Sequence, residues 1–481
     1  MQDTEKITQE LFAYIDASPT AFHAAAQAAK RLEEAGYVKL EKEAGARITA
    51  GGKYYMTRND SSLIAFRIPK EEVRRFRIAA AHSDSPSFKI KETPEMGVEG
   101  HYVKLNTEGY GGMIQSAWLD RPLSVAGRVI VETPDGPQTR LVDLDRDLCV
   151  IPNVAIHFNL EINKGYAYNP QVDLLPLFAG AACEVQEDGR ESDGPESVGP
   201  AEEGQNGKEE KAEKTEKAVT LAGLCAQELG IEEEQILASD LFLYNREKGR
   251  RMGAKGEFVG SPRLDDLQCA FGVLEGFLQA DRAGEEAGQE ETGSCAVYAL
   301  FDNEEIGSGT KQGADSTFLS DVLEGVCDAL NISGAKRRDL LSESFLLSAD
   351  NAHGVHPNHP EKSDPTNRPY LNGGIVLKFQ GSQKYTTDAW SAAQVRSLCR
   401  KAGVPCQNFA NRADIAGGST LGNISSAHVS IPAADIGLAQ LAMHSAVETA
   451  GVEDIGFMIR AVRSFYQTPF ACTGDGSYRI G

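Results

Sequence analysis

Residues 297–307 read VYALFDNEEIG, an apolar run that ends abruptly in three acids, two of them the adjacent Glu304 and Glu305. A short apolar stretch closed by a polar, Gly-ended turn predicts a buried strand delivering carboxylates at its mouth. Neighbouring carboxylates repel unless a cation or a shared proton compensates. One chemistry that uses both is a metal site, in which one Glu ligates and the other moves protons. A solvated acidic loop is the ordinary alternative, and matching ligands elsewhere in the chain decide between the two.

The same texture recurs around this motif. Residues 76–81 (FRIAAA) are a second buried-strand candidate running into His82, Ser83 and Asp84. Residues 295–301, 345–349 and 374–379 read as strands, and 264–278, 388–402 and 436–450 read as helices. Such β–α alternation predicts an α/β fold, a three-layer α/β/α domain around a mainly parallel sheet. Helical patterns over 4–37 break at Ser18, Pro19 and Thr20, where Ser or Thr can cap the helix that follows. Extended segments follow at 53–56 and 63–68. From about 90 to 185 short β-like runs such as 123–132 and 148–158 replace the helical period and predict a separate β-rich domain. Residues 186–217 are rich in acids, lack aromatics and hold Val198 as their only aliphatic residue larger than alanine. Such a stretch cannot bury enough surface to order itself and predicts a disordered loop, most simply a tolerated insertion. Helices are expected again from Thr220, and a second acidic insert, 284–292, reads as a surface loop.

At 481 residues, 41% of them hydrophobic, the chain is long enough for two or more domains with a large core. A formal charge of −22 argues against sequence-independent nucleic-acid binding and against anionic membrane surfaces. Nine scattered cysteines without a C-x-x-C pair fit reduced thiols rather than a disulfide framework or a Cys-rich zinc module. The polar N-terminus carries no leader pattern, and no stretch approaches a membrane span. A cytoplasmic protein is expected.

Four further sites supply ligand-type residues. His82 is followed two residues on by Asp84, which could take the second ring N–H of a ligating histidine. Asp265 and Asp266 enter a helix, where capping is the routine role. Asp350 ends a strand and is followed by His353, His356 and His359. His444 lies in an apolar segment where a core histidine is the default. Singly each has an ordinary explanation. Together they place histidines and carboxylates at C-terminal strand ends, where open α/β sheets build their sites. Nitrogen and oxygen ligands without thiolate suit Zn²⁺, with Mn²⁺ or Co²⁺ as substitutes.

The set SPTAFHAA (18–25), AAHSDSP (80–86), SPRLDD (261–266), DNEEIGS (302–308), SADNAHGVHPNH (348–359) and AMHSAVE (442–448) resembles the aspartyl aminopeptidases, a family of dinuclear zinc metallopeptidases, in its bacterial form. YGGMIQSAWLDRPLSVAGRV (110–129) and IPNVAIHFN (151–159) are similar to that family's second domain. The resemblance runs in order from about residue 10 to 470. It implies a catalytic domain over 1–91 and 252–481, interrupted by a β-rich dimerisation domain over 92–251. It implies two Zn²⁺ per subunit, one held by His82 and Asp350, the other by Glu305 and His444, with Asp265 bridging. Asp84 and Glu304 become catalytic residues, Glu304 as general base towards a water between the ions. His353, Lys378 and Tyr385 become substrate contacts, and His157 reaches the site of a neighbouring subunit. Asp266 departs from the Asn that many relatives carry, and adds charge beside the bridging ligand. Gly417, Gly418 and Gly422 form a pattern too loose for a phosphate loop and read as a close-approach or substrate-lining turn.

The implied activity is hydrolysis of the N-terminal residue of peptides with a free amine, with an Asp/Glu preference through Lys378. The implied assembly is at least a homodimer and, in its larger form, a dodecameric shell; no nucleic-acid or membrane partner is expected. Competing readings are a dinuclear zinc aminopeptidase of broad or leucine-type specificity, a carboxypeptidase or deacylase with the same metals, and a catalytically inactive assembly protein.

Overall fold

Strand Ser294–Phe301, the apolar part of the acidic motif, lies inside a nine-stranded sheet. The structure is a computed structural model and describes residues 2–40, 48–180, 219–287, 293–468, 470–474 and 477–480. In spatial order the sheet runs Val38–Lys39, Lys53–Arg58, Ser62–Arg67, Ser294–Phe301, Arg75–His82, Phe345–Ala349, Ala433–Gly437, Ile375–Phe379 and Cys406–Ala410. The four central strands, Ser294–Phe301 to Ala433–Gly437, are parallel to one another. Antiparallel pairings join Ser62–Arg67 to its neighbours on one side and Ile375–Phe379 to Ala433–Gly437 on the other. The sheet is therefore mainly parallel, as the β–α alternation predicts.

Alternate residues of these strands feed two different cores, which explains their uninterrupted apolar sequence. Ala296, Tyr298 and Leu300 pack with helices Gln2–Asp16, Leu264–Ala287, Ala389–Ala402 and Asp454–Gln467. Cys295, Val297, Ala299 and Phe301 pack with helix Phe318–Ala329 on the opposite face. The result is three layers, helix on sheet on helix. Between strands Arg75–His82 and Phe258–Ser261 the chain builds a six-stranded antiparallel sheet with its own core around Phe88, Trp118 and Leu243. A five-stranded sheet that includes Phe258–Ser261, Glu448–Gly451, Ala439–Leu441 and Ala352–His353 lies beside the metal-ligand motifs.

Several expectations are corrected. Residues 436–450 are not helical: strands Ala433–Gly437, Ala439–Leu441 and Glu448–Gly451 occupy them, joined by a turn that holds His444. A short, continuously apolar run that is buried on both sides has no period with which to separate strand from helix. The run 148–158 pairs only through isolated bridges at Cys149, Val150 and Ile151. Pro152 then removes a donor, and Phe158 is 87% exposed. After helix Leu221–Leu229 the chain forms a ten-residue strand, Ile236–Asn245, inside the six-stranded sheet. Thr20 stands at the expected cap, but its hydroxyl pairs with His23 Nδ1 at 2.9 Å instead. Residues 186–217 lie outside the described residues, and the 284–292 insert is helical to Ala287 and undescribed from 288.

Phe271 is fully buried against Tyr14, its ring centroid 5.6 Å away. Phe271→Ala should cost about 3–5 kcal/mol and lower Tm in a thermal unfolding scan; an unchanged Tm would contradict this core.

Candidate metal centre

The parallel strands deliver their last residues to one edge. Phe301 lies level with His82, and Ser348 with Ala80, so Asp302, His82 and Asp350 emerge side by side. Asn303, at φ 62°, turns the chain so that Glu304 and Glu305 form a single helical turn beneath the edge. Asp265 and Asp266 stand at the start of helix Leu264–Ala287 with non-helical backbone angles; they point into the site rather than cap the helix. His444 completes the set from its turn at φ 65°, a left-handed conformation that a non-glycine residue adopts only when its surroundings impose it.

The ligand atoms gather in overlapping groups within 4.8 Å: His82, Asp265, Asp266 and Asp350; His82, Glu304 and Glu305; Asp265, Glu305 and His444. Asp265 joins two of them. Its Oδ1 lies 3.7 Å from His82 Nε2, and its Oδ2 lies 3.4 Å from His444 Nε2. Glu305 Oε2 lies 3.3 Å from the same His444 nitrogen. His82 turns its other nitrogen, Nδ1, to Asp84 Oδ1 at 3.2 Å, the partner expected of it.

Asp84 anchors far more than this ring. Its carboxylate also accepts the backbone N–H groups of Glu304 and Glu305, each at 3.1 Å, and the Tyr110 hydroxyl at 2.7 Å. Glu448 plays the matching role on the far side, where its two oxygens accept the N–H of Asp265 at 2.9 Å and of His444 at 2.7 Å. Lys378 is buried and donates to Asp350 Oδ2 and to the Asn351 carbonyl, each at 3.0 Å.

The electrostatics follow from burial. Desolvation, reinforced by the charges of Asp350, Asp84 and Asp265, pushes Glu304 up to about 8 against the pull of His82. Burial and the charge of Asp265 likewise raise Glu305 well above the usual carboxylate range. Burial acts to raise Asp350 too, but the ammonium of Lys378 and the His82 ring hold it below its ordinary value. Asp265 Oδ1, Asp266 Oδ1 and Glu305 Oε1 are buried and accept no hydrogen bond from the protein. Orphaned anionic oxygens in a pocket with two imidazoles are what a divalent cation would satisfy, and the N/O donor set fits zinc. Cys269 belongs to none of the ligand groups among the described residues, and its thiol donates to Asn351 Oδ1 at 3.3 Å.

The remaining candidates fall around this cluster. His353 packs edge-on against Phe409, 5.9 Å between ring centroids, and lines a cleft of about 390 Å³ with Gln440, Met443 and Arg412. Tyr385 is buried, with its ring 5.3 Å from the Lys378 ammonium. Gly417 lines the cleft, and Gly422 lies in helix Leu421–Ser426 rather than in the expected turn, at a close approach where a Cβ would meet the Ser348 Cβ at 2.8 Å. His157 is exposed and belongs to none of the ligand groups among the described residues. The sequence reading assigned no role to Tyr110 or Glu448, although both lie in motifs it quoted. A buried-type tyrosine beside a Gly-Gly pair and an acid four residues after a ligand histidine were the available signals.

A carboxylate–imidazole cluster at the C-terminal edge of a mainly parallel sheet fits a metallohydrolase. The family model described as aminopeptidase I zinc metalloprotease (M18) matches residues 14–466, and the chain belongs to that family. It is thus a metallo-aminopeptidase, which bears out the resemblance carried by its motifs. It is 43% identical over 470 residues to a probable M18 family aminopeptidase 2 of Clostridium novyi, covering 97% of this chain and all of the relative. It superposes on the chain in a cryo-EM structure of the Ape4 and Nbr1 complex with TM-score 0.85 and 32% identity, over 97% of this chain and 86% of the other. It matches the S. cerevesiae mApe1 dodecamer with TM-score 0.79 and 26% identity, over 97% of each chain.

Asp265→Ala removes the carboxylate shared by the group around His82 and Asp350 and the group around His444. It should abolish most bound zinc in elemental analysis, whereas His444→Ala should leave the group around His82 and Asp350 able to retain metal. Equal loss in both variants would contradict two separable positions.

Proposed function

We propose that the enzyme removes the N-terminal residue of peptides with a free amine, using two zinc ions per subunit. The observation that carries this reading is Asp265, whose two oxygens face two different histidines. His82 and Asp350 would hold one ion, Glu305 and His444 the other, with Asp265 between them and Mn²⁺ or Co²⁺ as substitutes. Bound zinc would supply Lewis-acid polarisation of the scissile carbonyl and a lowered pKa for the attacking water.

Glu304 is the general base in this scheme. Its neighbour Glu305 joins the His444 group while Glu304 does not, which supports one acid as ligand and the other as proton carrier. Its place in the group with His82 and Glu305 would let it take a proton from the attacking water and return it to the departing amine. Asp84 orients His82 and fixes the backbone of both glutamates, so its catalytic part is positioning.

The cleft beside His353 would take the first side chain. Lys362 and Arg412 line it together with Asp364. Arg412 is already paired with Asp414, which leaves Lys362 as the cation that would favour an acidic residue. Lys378 and Tyr385 are assigned to the same substrate contact, with Lys378 buried and bonded to Asp350 and to the Asn351 carbonyl. His157 belongs to an exposed loop with Val154, Ile156 and Phe158, an apolar surface suited to a subunit contact. We assign residues 92–251 the dimerisation role, with His157 of the partner subunit completing each site, and a dodecamer like that of the yeast neighbour as the full assembly. No helix among the described residues is long and apolar enough to cross a membrane, and the reading places the enzyme in the cytoplasm.

Glu304→Gln should retain zinc yet lose about 10²–10⁴ in kcat; near-normal turnover would remove Glu304 from its role. A panel of aminoacyl-naphthylamides should be cleaved fastest at Asp and Glu, and N-acetylation should block cleavage. Faster hydrolysis of the leucine derivative would favour the broad or leucine-type alternative. Light scattering coupled to size exclusion should find the activity in an oligomer, because an active monomer would contradict the shared histidine.

A further inference from the structure

One segment of the six-stranded sheet reaches both halves of the metal-ligand cluster. Strand Tyr102–Tyr110 ends at the site, and the chain continues as a strap through Gly111, Gly112, Met113 and Ile114. The Tyr110 hydroxyl donates to Asp84 Oδ2 at 2.7 Å and accepts from Asn303 Nδ2 at 2.8 Å. Asn303 is the residue whose left-handed turn sets the direction of Glu304 and Glu305. Gly111, at φ +74°, lies so close that a Cβ there would meet the Glu305 Cβ at 3.1 Å. The His444 ring donates to the Gly112 backbone, and the Ile114 N–H donates to the His444 carbonyl at 3.0 Å. The strap thus touches Asp84, Asn303, Glu305 and His444 at once, although none of its own side chains is among the clustered metal-ligand candidates.

We propose that this strap is the positioning element of the metal centre. In it, Tyr110 is the positioning residue through which the six-stranded sheet sets the placement of Glu304 and Glu305. The inference rests on the reading that the cluster holds zinc.

The physical reason is the geometry of Asp84. One oxygen serves the His82 ring and the Glu304 amide, and the other serves the Glu305 amide and Tyr110. Without the hydroxyl, the carboxylate keeps three N–H donors from the catalytic sheet but loses its tie to the antiparallel one. Its rotation then moves His82 and the two glutamates together. Outer groups that orient metal ligands act on both metal affinity and turnover. A hydrogen bond of purely structural value would act on stability alone.

The test uses the full chain, stripped with chelator and titrated calorimetrically with zinc chloride alone, and then assayed on a dipeptide. Tyr110→Phe keeps the ring against Phe242, 5.4 Å away edge-on, and removes only the hydroxyl. It should weaken zinc binding about ten- to hundredfold and lower kcat by a similar factor. KM should stay within about twofold, as for a residue that acts through Asp84. The visible spectrum of the cobalt-substituted variant should shift. Gly111→Ala, which presses on Glu305 instead, should give the same pattern, so that a folding defect in one variant leaves the other to decide. Wild-type zinc affinity and kcat in both, with a lowered Tm of the metal-free chain as the sole change, would overturn the proposal. The zinc titration does not depend on peptide cleavage. A wild-type chain that binds zinc but leaves free-amine dipeptides intact would refute the proposed function and leave the strap standing. Intact cleavage with unaffected variants would refute the strap alone.

Discussion

The constraint on which this structure turns is the mutual repulsion of carboxylates in a place that water barely reaches. Asp265, Asp266, Glu304, Glu305 and Asp350 converge on a few ångströms with two imidazoles and a single buried ammonium, that of Lys378. Left to themselves most would take up protons, and burial drives Glu304 and Glu305 in that direction. Holding such groups together has a cost that a globular protein accepts only where cations or protons are to be handled. Everything near the edge of the sheet serves to hold them there.

Much of the holding is done by backbone amides, alongside the Lys378 counter-charge on Asp350. Asp84 and Glu448 are two further carboxylates, yet each is used as an acceptor that grips main-chain N–H groups of the ligand-bearing turns. This lets the ligand side chains keep oxygens bare, as Asp265 Oδ1 and Glu305 Oε1 are. A cation then meets donors already in place and spends little on ordering them. The antiparallel sheet shares in this arrangement, since its Tyr110 hydroxyl closes the Asp84 network.

The fold was legible where residue patterns carried one meaning. Strands 76–81, 295–301 and 345–349 were recognisable because short apolar runs ended in acids or histidine. The ligand set was legible as a list, because its members sit in distinctive motifs at strand ends. Their resemblance to M18 enzymes named the chemistry. Residues 436–450 were misread, since Ile436, Leu438 and Ala439 are all buried and no period marks a strand. The strand Ile236–Asn245 was missed because its partly exposed first half hides the alternation that appears at Leu241 and Leu243.

By itself the sequence determined which residue types the sheet edge receives, because a strand's apolar run and its terminal acid are neighbours in the chain. The activity was legible only through the resemblance its motifs carry to a known family. Only the tertiary structure decided which oxygen faces which nitrogen. Asp265 lies 183 residues from Glu448, and Tyr110 lies 193 residues from Asn303. Contacts across such separations depend on how two sheets pack, not on any pattern within one. The same holds for His444, whose left-handed turn is imposed by Glu448 and the strap at Gly112 and Ile114 rather than by its own preference.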